Sequence, residues 1–281
     1  MTDTITETPP KAKSETRDFL QFLLKLGIFV FILRSFIFAP FSIPSESMVP
    51  RLRIGDYLIV TKWSYGYSRY SFPWALPLIP GPGRLLGSVP DRGDVVVFKK
   101  PPENNPDYIK RVIGLPGDFI QMKGGILFIN GTAVRKERIA DAVMPVTPNM
   151  IAEAARTGRI FVCNAEKFEE NSRDGGRQCR YPQFRETLPG GKGYNVIDMF
   201  TTGADDTQLY TVPQGQLLMM GDNRDNSADS RLEAGGFGFV PVENLVGKAR
   251  FTVFSTDGSA SWVLPWTWFS AARTDRIGDS F

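Results

Sequence analysis

The stretch Tyr108-Ile109-Lys110-Arg111-Val112-Ile113-Gly114 sets a lysine among aliphatic residues that favour a β-strand. Short runs of the same kind recur along the chain. Turn residues separate them, in keeping with 27 glycines and 21 prolines among 281 residues. This pattern predicts a mostly β body. The other runs cover residues 56–60, 94–98, 125–129, 208–212 and 216–220.

Length and composition set limits on the organisation and the partners of the chain. The 281 residues, 42% of them hydrophobic, can form a core for one domain with an insertion or for two domains. The net charge of +3 is small, and no run is rich in lysine and arginine. We therefore expect no nucleic-acid partner.

A long apolar run, FLQFLLKLGIFVFILRSFIFAPF, covers residues 19–41. Because about 20 helical residues span a bilayer core, the run predicts a transmembrane anchor behind a polar tail of residues 1–18. Lys25 and Arg34 lie towards its two ends, where long basic side chains reach the headgroups. A buried core helix is an alternative. A cleaved signal peptide fits less well, since the run ends without a small-x-small cleavage site.

Charge and cysteines indicate the side of the membrane. Basic residues are slightly more frequent before the anchor than just after it, which favours a cytoplasmic N-terminus. Cys163 and Cys179 are the only cysteines, and Asp174-Gly175-Gly176 between them can reverse the chain. A bridge would stabilise the fold by about 3 kcal/mol in an oxidising compartment; two free cysteines are the alternative. We expect a single-pass inner-membrane protein with a periplasmic body.

Two segments depart from the pattern of regular strands. Residues 132–205 are more polar and contain both cysteines, which indicates an insertion that begins just after the hairpin signal Asn130-Gly131. Residues 63–90 combine aromatics and prolines with few charges. They predict an extended loop that either packs on the body or touches lipid.

The chain has no histidine, yet Pro44-Ser45-Glu46-Ser47-Met48-Val49-Pro50 sets two serines in a turn after the apolar run. A neutral lysine is the best substitute for imidazole as a base. Lys110 has aliphatic neighbours that can remove water, and its pKa must fall by about 3 from the usual ~10.4. The sequence thus makes Lys110 a candidate base for serine chemistry, and it leaves open whether Ser47 and Lys110 belong to one site. Without histidine or a C-x-x-C pair, we expect no metal or other cofactor.

A second polar motif covers residues 221–231 and combines three aspartates with two arginines. An EF-hand calcium loop does not fit, since Arg224 and Ser227 occupy its third and sixth positions. A solvated polar turn is an open alternative. The spacing of opposite charges favours a rigid support held by internal ion pairs.

Four segments, in this order behind a membrane anchor, resemble the successive motifs of bacterial type I signal peptidases. They are residues 41–52, 92–98, 108–118 and 221–231. The resemblance implies an antiparallel β catalytic domain, a smaller inserted β domain and an active site on the outer side of the membrane. The catalytic domain would comprise residues 42–131 and 206–281, and the inserted domain residues 132–205.

The resemblance also implies roles for polar residues. Ser47 would attack the scissile carbonyl after Lys110 removes its proton, while Ser227 would orient the lysine amine. Ser45 would donate to the oxyanion beside the Ser47 backbone N–H, which agrees with residues two apart projecting to one side of an extended segment. Structural support, and not chemistry, is implied for Asp222, Asp229 and Arg231.

Shallow apolar pockets are a further implication of the resemblance. They would admit the small residues of Ala-x-Ala cleavage sites in secretory signal peptides, with the substrate bound as an added strand. The implied function is a membrane-bound serine endopeptidase that removes signal peptides from exported preproteins. Core packing is the alternative for the aliphatic members. The pocket residues are Phe41, Ile43, Pro44, Met48, Leu52, Val97, Tyr108 and Ile109.

The sequence departs modestly from the family pattern at two points, and two other functions stay open besides. Glu46 stands where glycine is common between the two serines, and there is one anchor where some members have two. One alternative is a Ser/Lys peptidase of the same fold dedicated to one export or pilin substrate. The other is an anchored, inactive β-rich binding module, which a hydroxyl-reactive acylating probe would reveal.

An aromatic patch lies near the C-terminus, where Trp262, Trp266, Trp268 and Phe269 fall within eight residues. Indoles favour the headgroup layer of a membrane. The patch therefore predicts either a surface that rests on the membrane or an edge of the core.

Overall fold

The computed structural model describes residues 15–73, 76, 79, 81, 83–232, 235–261 and 263–281, so most of the predicted polar tail lies outside the described residues. The helices are α1 (Glu15–Ile32), α2 (Pro148–Arg156) and α3 (Thr267–Ala271). The strands are β1 (Phe38–Ser42), β2 (Asp56–Thr61), β3 (Val95–Lys99), β4 (Asp107–Gly114), β5 (Phe119–Lys123), β6 (Ile126–Ile129), β7 (Thr132–Ala133), β8 (Arg135–Pro145), β9 (Glu169–Asn171), β10 (Arg177–Thr187), β11 (Gly193–Ile197), β12 (Tyr210–Thr211), β13 (Gln216–Met220), β14 (Val240–Pro241) and β15 (Leu245–Ser255).

A seven-stranded sheet in the order β1-β2-β15-β3-β4-β13-β14 forms the centre of the fold, and each neighbouring pair is antiparallel. Strand β4 contains Lys110 and lies between β3 and β13, so both of its backbone edges are paired. Its residues 109–114 are buried. The predicted mostly β, antiparallel fold is confirmed.

The predicted anchor is helical over most of its length. Helix α1 continues as a π-helix, Leu33–Ile37, and together they form a 23-residue helical segment that is long and apolar enough to cross a membrane. The prediction of an anchor up to Phe41 was too long, because residues 38–41 belong to β1 at the edge of the sheet. Pro40 is the cause: it lacks the N–H that a helix requires and favours an extended residue before it, while an edge strand tolerates it.

A second sheet, in the order β11-β10-β8 with β9 paired to β10, is built from residues of the predicted insertion. Cys163 and Cys179 form a disulfide, with Cα atoms 5.4 Å apart. The turn at Asp174-Gly175-Gly176 joins β9 to β10, as the sequence indicated. The bridged cysteines pack in a buried cluster with Val49 and Ile54, which follow the serine turn. The inserted sheet therefore supports the serine segment.

A small third sheet has the order β12-β5-β6-β7. Asn130 and Gly131 have φ angles of +52° and +80° and join β6 to β7, which confirms the predicted hairpin. The predicted strand at 208–212 is shorter in the structure, where only Tyr210–Thr211 pair with β5.

The described part of segment 63–90 packs on the main sheet. Tyr65 and Tyr70 are buried. Arg84 donates to the backbone carbonyls of Tyr65, Gly66 and Leu245. Together with hydrogen bonds from Tyr65 to Asp94 and from Ser68 to the Glu243 carbonyl, this guanidinium holds the segment to the body.

The C-terminal aromatic patch is a surface feature in its described part, and Trp262 lies outside the described residues. Trp266 and Phe269 have 67% and 86% of their surface exposed. Trp268 donates from its indole Nε1 to the Ser261 carbonyl. A core edge does not account for this exposure.

Candidate active site

Ser47 and Lys110 meet in the interior, although 63 positions separate them in the sequence. The Lys110 Nζ lies 2.6 Å from the Ser47 Oγ and 2.9 Å from the Ile109 carbonyl oxygen. Only 2% of Lys110 and 8% of Ser47 are exposed. Strand β4 holds the lysine, and the turn that follows β1 brings the serine over it.

Burial lowers the pKa of Lys110 to about 8 by disfavouring its charged form, while Asp229 and Asp222 act in the opposite direction. A pKa of 8 leaves about a tenth of the amine neutral at pH 7. A neutral amine has a free lone pair that can accept the proton of a hydroxyl. The arrangement can therefore deprotonate Ser47 without imidazole.

Buried ion pairs surround the lysine. Arg111 binds Asp222 through two hydrogen bonds of 2.7 and 2.6 Å. Arg231 likewise binds Asp229 through two hydrogen bonds of 2.9 Å. Side chains alternate along β4, so Arg111 does not share the Lys110 pocket. By neutralising both aspartates, the arginines limit the attraction that would otherwise keep Lys110 charged.

The polar motif fixes the serine turn. Asn223 donates from its backbone N–H to the Ser47 carbonyl (3.1 Å) and from its Nδ2 to the Glu46 carbonyl (3.2 Å). Gly221 permits this approach, because a Cβ there would lie 2.5 Å from the Ser47 carbonyl oxygen and 2.2 Å from the Ser227 Oγ. No role for Gly221 was predicted from the sequence, although a glycine directly after a buried strand signals a close backbone approach.

Ser45 and Ser227 flank the pair differently. The Ser45 and Ser47 hydroxyl oxygens are 3.4 Å apart. The Ser227 Oγ is buried beside Gly221 and has no hydrogen-bond partner among the described residues, Lys110 included. The role of each hydroxyl therefore stays a prediction.

Glu46 belongs to a hydrogen-bonded network that was not predicted from the sequence. Its carboxylate accepts from Arg159 at 2.6 Å and from the Asn226 Nδ2 at 3.1 Å. Arg159 and Asn226 both donate to the Asn164 Oδ1. Burial raises the pKa of Glu46, and the Arg159 charge opposes that rise. The inserted region thus holds the residue next to Ser47.

Five of the eight residues assigned to substrate pockets meet in one buried apolar cluster, which Phe41 borders. Tyr108 packs in a neighbouring cluster, because side chains alternate along β4, and Pro44 is exposed. The pocket assignment stays a prediction. The five are Ile43, Met48, Leu52, Val97 and Ile109.

Within the described ranges, one group of carboxylates has the spacing of a metal site: the oxygens of Asp198, Asp205 and Asp225 lie within 4.8 Å of one another. Lys136 forms an ion pair with Asp198, and backbone N–H groups donate to Asp225. Carboxylate oxygens of Asp198 and Asp225 are therefore already bound by donors of the protein itself.

Taken together, the sheet and its interior define a β-rich protein in which a lysine amine meets a serine hydroxyl away from water. The family model described as signal peptidase, peptidase S26, matches residues 16–254. Signal peptidase I of Rickettsia canadensis (strain McKiel) is 35% identical over 263 residues, which cover 90% of this chain and 84% of the relative. Signal peptidase I of Rickettsia akari (strain Hartford) is 36% identical over 234 residues, 80% of this chain and 74% of the relative.

A crystal structure of a signal peptidase I from Enterococcus faecalis V583 covers 57% of this chain and 97% of its own, with 26% identity and a TM-score of 0.28. The family match and the relatives decide the assignment: the chain belongs to the signal peptidase S26 family. It is a serine endopeptidase that removes signal peptides, and the resemblance noted in the sequence is confirmed.

Proposed function

We propose that Ser47 and Lys110 form the catalytic dyad of this peptidase. Neutral Lys110 takes the hydroxyl proton as the Ser47 Oγ attacks the scissile carbonyl carbon. The protonated amine then gives that proton to the leaving amino group, which leaves an acyl-enzyme. Lys110 next takes a proton from a water molecule as the water oxygen attacks the ester carbon. It gives that proton to the Ser47 Oγ when the acyl C–O bond breaks, which releases the acid product and restores neutral Lys110. The 2.6 Å contact between the two buried groups carries the proposal.

Ser45 and the Ser47 backbone N–H would donate to the oxyanion of the tetrahedral intermediate. The 3.4 Å separation of the two serine hydroxyls supports this assignment. Ser227, buried beside Gly221, would orient the Lys110 amine. Asp222, Asp229 and Arg231 would support the site through their ion pairs.

Specificity for small residues at Ala-x-Ala sites would come from the apolar cluster beside the dyad. Its members are almost closed to solvent, and Leu52 and Val97 are 0% and 2% exposed. A large side chain would have to displace close-packed neighbours, which is costly. The substrates would be signal-peptide-bearing preproteins whose cleavage segment binds as an added strand.

Helix α1 would anchor the protein in the inner membrane in a single pass, with a cytoplasmic N-terminus and a periplasmic body. The apolar helix and the Cys163–Cys179 disulfide support this location. We also propose residues 42–131 with 206–281 as the catalytic domain and 132–205 as an inserted domain.

Cleavage of a preprotein by the purified full-length protein tests the proposal, with Ser47→Ala as the control. Cutting after Ala-x-Ala, with loss of cutting when a large residue precedes the bond, is the expected result. Cutting that tolerates large residues would remove the pocket assignment while leaving the dyad intact. Protease added outside the inner membrane should degrade the body, and a protected body would contradict the orientation.

A further inference from the structure

A cavity of about 540 Å³ separates the last turns of the α1 segment from the edge of the main sheet. Val30 and Phe31 form its apolar wall on the helix side. Three basic side chains, Arg34, Lys62 and Lys99, line the same space. The cavity therefore combines apolar and cationic walls at the junction of the helix and the body.

Lys62 is the unusual member of this set. It is 4% exposed, and its Nζ donates to the Ser71 carbonyl at 2.9 Å and lies 5.7 Å from the Phe41 ring centre. Burial lowers its pKa to about 8; Asp107 opposes this, and the charges of Lys99 and Arg34 add to it. In the part of the chain that the structure describes, it forms no ion pair. A buried ammonium without a carboxylate is costly unless an anion accompanies it.

The charges around the cavity do not balance. Asp107 is the acidic residue of its lining, and Lys99 already binds it at 3.0 Å. Arg34 has no hydrogen bond or ion pair with any described residue. Lys62 and Arg34 are therefore left with two uncompensated positive charges that face the same space. A phosphate diester matches them in charge and in acceptor oxygens.

The cavity also lies at the level where such a phosphate occurs. Arg34 is near the end of the helical segment, which finishes at Ile37. If the helix spans the bilayer, this end reaches the headgroup layer, while Val30 and Phe31 lie one turn deeper. We propose that the cavity binds the phosphate of an anionic phospholipid, with its acyl chains along the exposed apolar face of α1. The proposal rests on the proposed membrane insertion of α1.

Native mass spectrometry of the full-length protein, released from vesicles of phosphatidylcholine and phosphatidylglycerol, can test this site. We expect retained phosphatidylglycerol, reduced about fivefold by Arg34→Gln or by Lys62→Met, since one basic contact near a membrane surface contributes roughly 1 kcal/mol. Lys62→Arg keeps the positive charge and should therefore retain as much phosphatidylglycerol as the unaltered protein. Arg173→Gln, in an exposed turn of the inserted sheet, is the matched control.

The possible outcomes separate the sources of the ligand. Equal retention in Arg34→Gln, Lys62→Met and the control would overturn the lipid site, and so would full displacement of the lipid by millimolar inorganic phosphate. The KM of Arg34→Gln and Lys62→Met for a peptide substrate, measured in lipid-free detergent, gives a further test. A raised KM would show that the cavity binds the substrate, which would also overturn the lipid site. Carbonate extraction tests insertion of α1 separately, so failure of the anchor can be told apart from failure of the lipid site.

Discussion

Two buried lysines, Lys110 and Lys62, share a pKa lowered by burial to about 8, but only one meets a hydroxyl. Lys110 contacts the Ser47 Oγ at 2.6 Å on an inner strand of the sheet. Lys62 follows the edge-side strand β2 and contacts a backbone carbonyl, which has no proton to give. Burial therefore lowers the lysine pKa at both places, whereas only Lys110 has a hydroxyl beside it that its neutral form can deprotonate.

Substitution of Lys110 or of its partner Ser47 should have the largest effect on the rate of cleavage. Ser47→Ala and Lys110→Met should each lower kcat by about 10⁴-fold or more, because members of a catalytic unit fail together. Lys110→Arg should be equally inactive, since a guanidinium does not deprotonate in a protein. Preprotein cleavage measures the rate, and circular dichroism checks the fold. Substantial turnover in any folded variant would show that the dyad is misassigned.

A second experiment tests whether the Ser47 site also needs Ser45 as a donor to the oxyanion. Ser45→Ala should lower kcat by about 10²–10³-fold with little change in KM, as expected for one lost oxyanion donor. Ser42→Ala, at the exposed end of β1, is the matched control. A rise in KM at constant kcat would assign Ser45 to substrate binding.

The pH profile tests which lysine titrates in the reaction. Protonation of Lys110 removes the base, so kcat/KM should fall about tenfold per pH unit below the pKa of about 8 and level off above it. Because the pKa of Lys62 is also about 8, Lys62→Met is the informative variant, and it should keep this acidic limb. If the limb disappears in Lys62→Met, its assignment to Lys110 is wrong.

Glu46 is a buried acid whose pKa is raised, in contrast to the two lysines, whose pKa values are lowered. Removing its partner should have the smallest effect of the four experiments, on stability and not on the reaction. Arg159→Met leaves its carboxylate without its cationic partner and should lower the free energy of unfolding by about 1–3 kcal/mol. The loss should grow as the pH rises from 5 to 8, since a raised pKa in the folded state means that the unfolded state ionises first. Thermal unfolding at both pH values measures this. Glu46→Gln together with Arg159→Met should recover most of the loss.

Local patterns explain why the strands and the Ser47–Lys110 pair could be predicted. The aliphatic residues around Lys110 in 108–114 and the absence of histidine are visible without any long-range contact. The Arg159–Glu46 contact joins positions 113 apart through an irregular segment, so no periodicity announces it. The end of the anchor was signalled by Pro40, but the apolar run continues past it. The predicted end at Phe41 followed the apolar run, whereas the helical segment ends at Ile37, before the proline.

The junction of the helical segment and β1 has a mechanical consequence. Phe38 enters the sheet directly after Ile37, so no free linker separates the two elements. A helix turns by about 100° per residue, and therefore one residue inserted at this junction would swing the apolar faces of the helix by that angle relative to the sheet. A rigid joint of this kind gives the body a set rotation and height relative to the helix. Changing that setting by one residue would re-aim Ser47 without altering any atom near it.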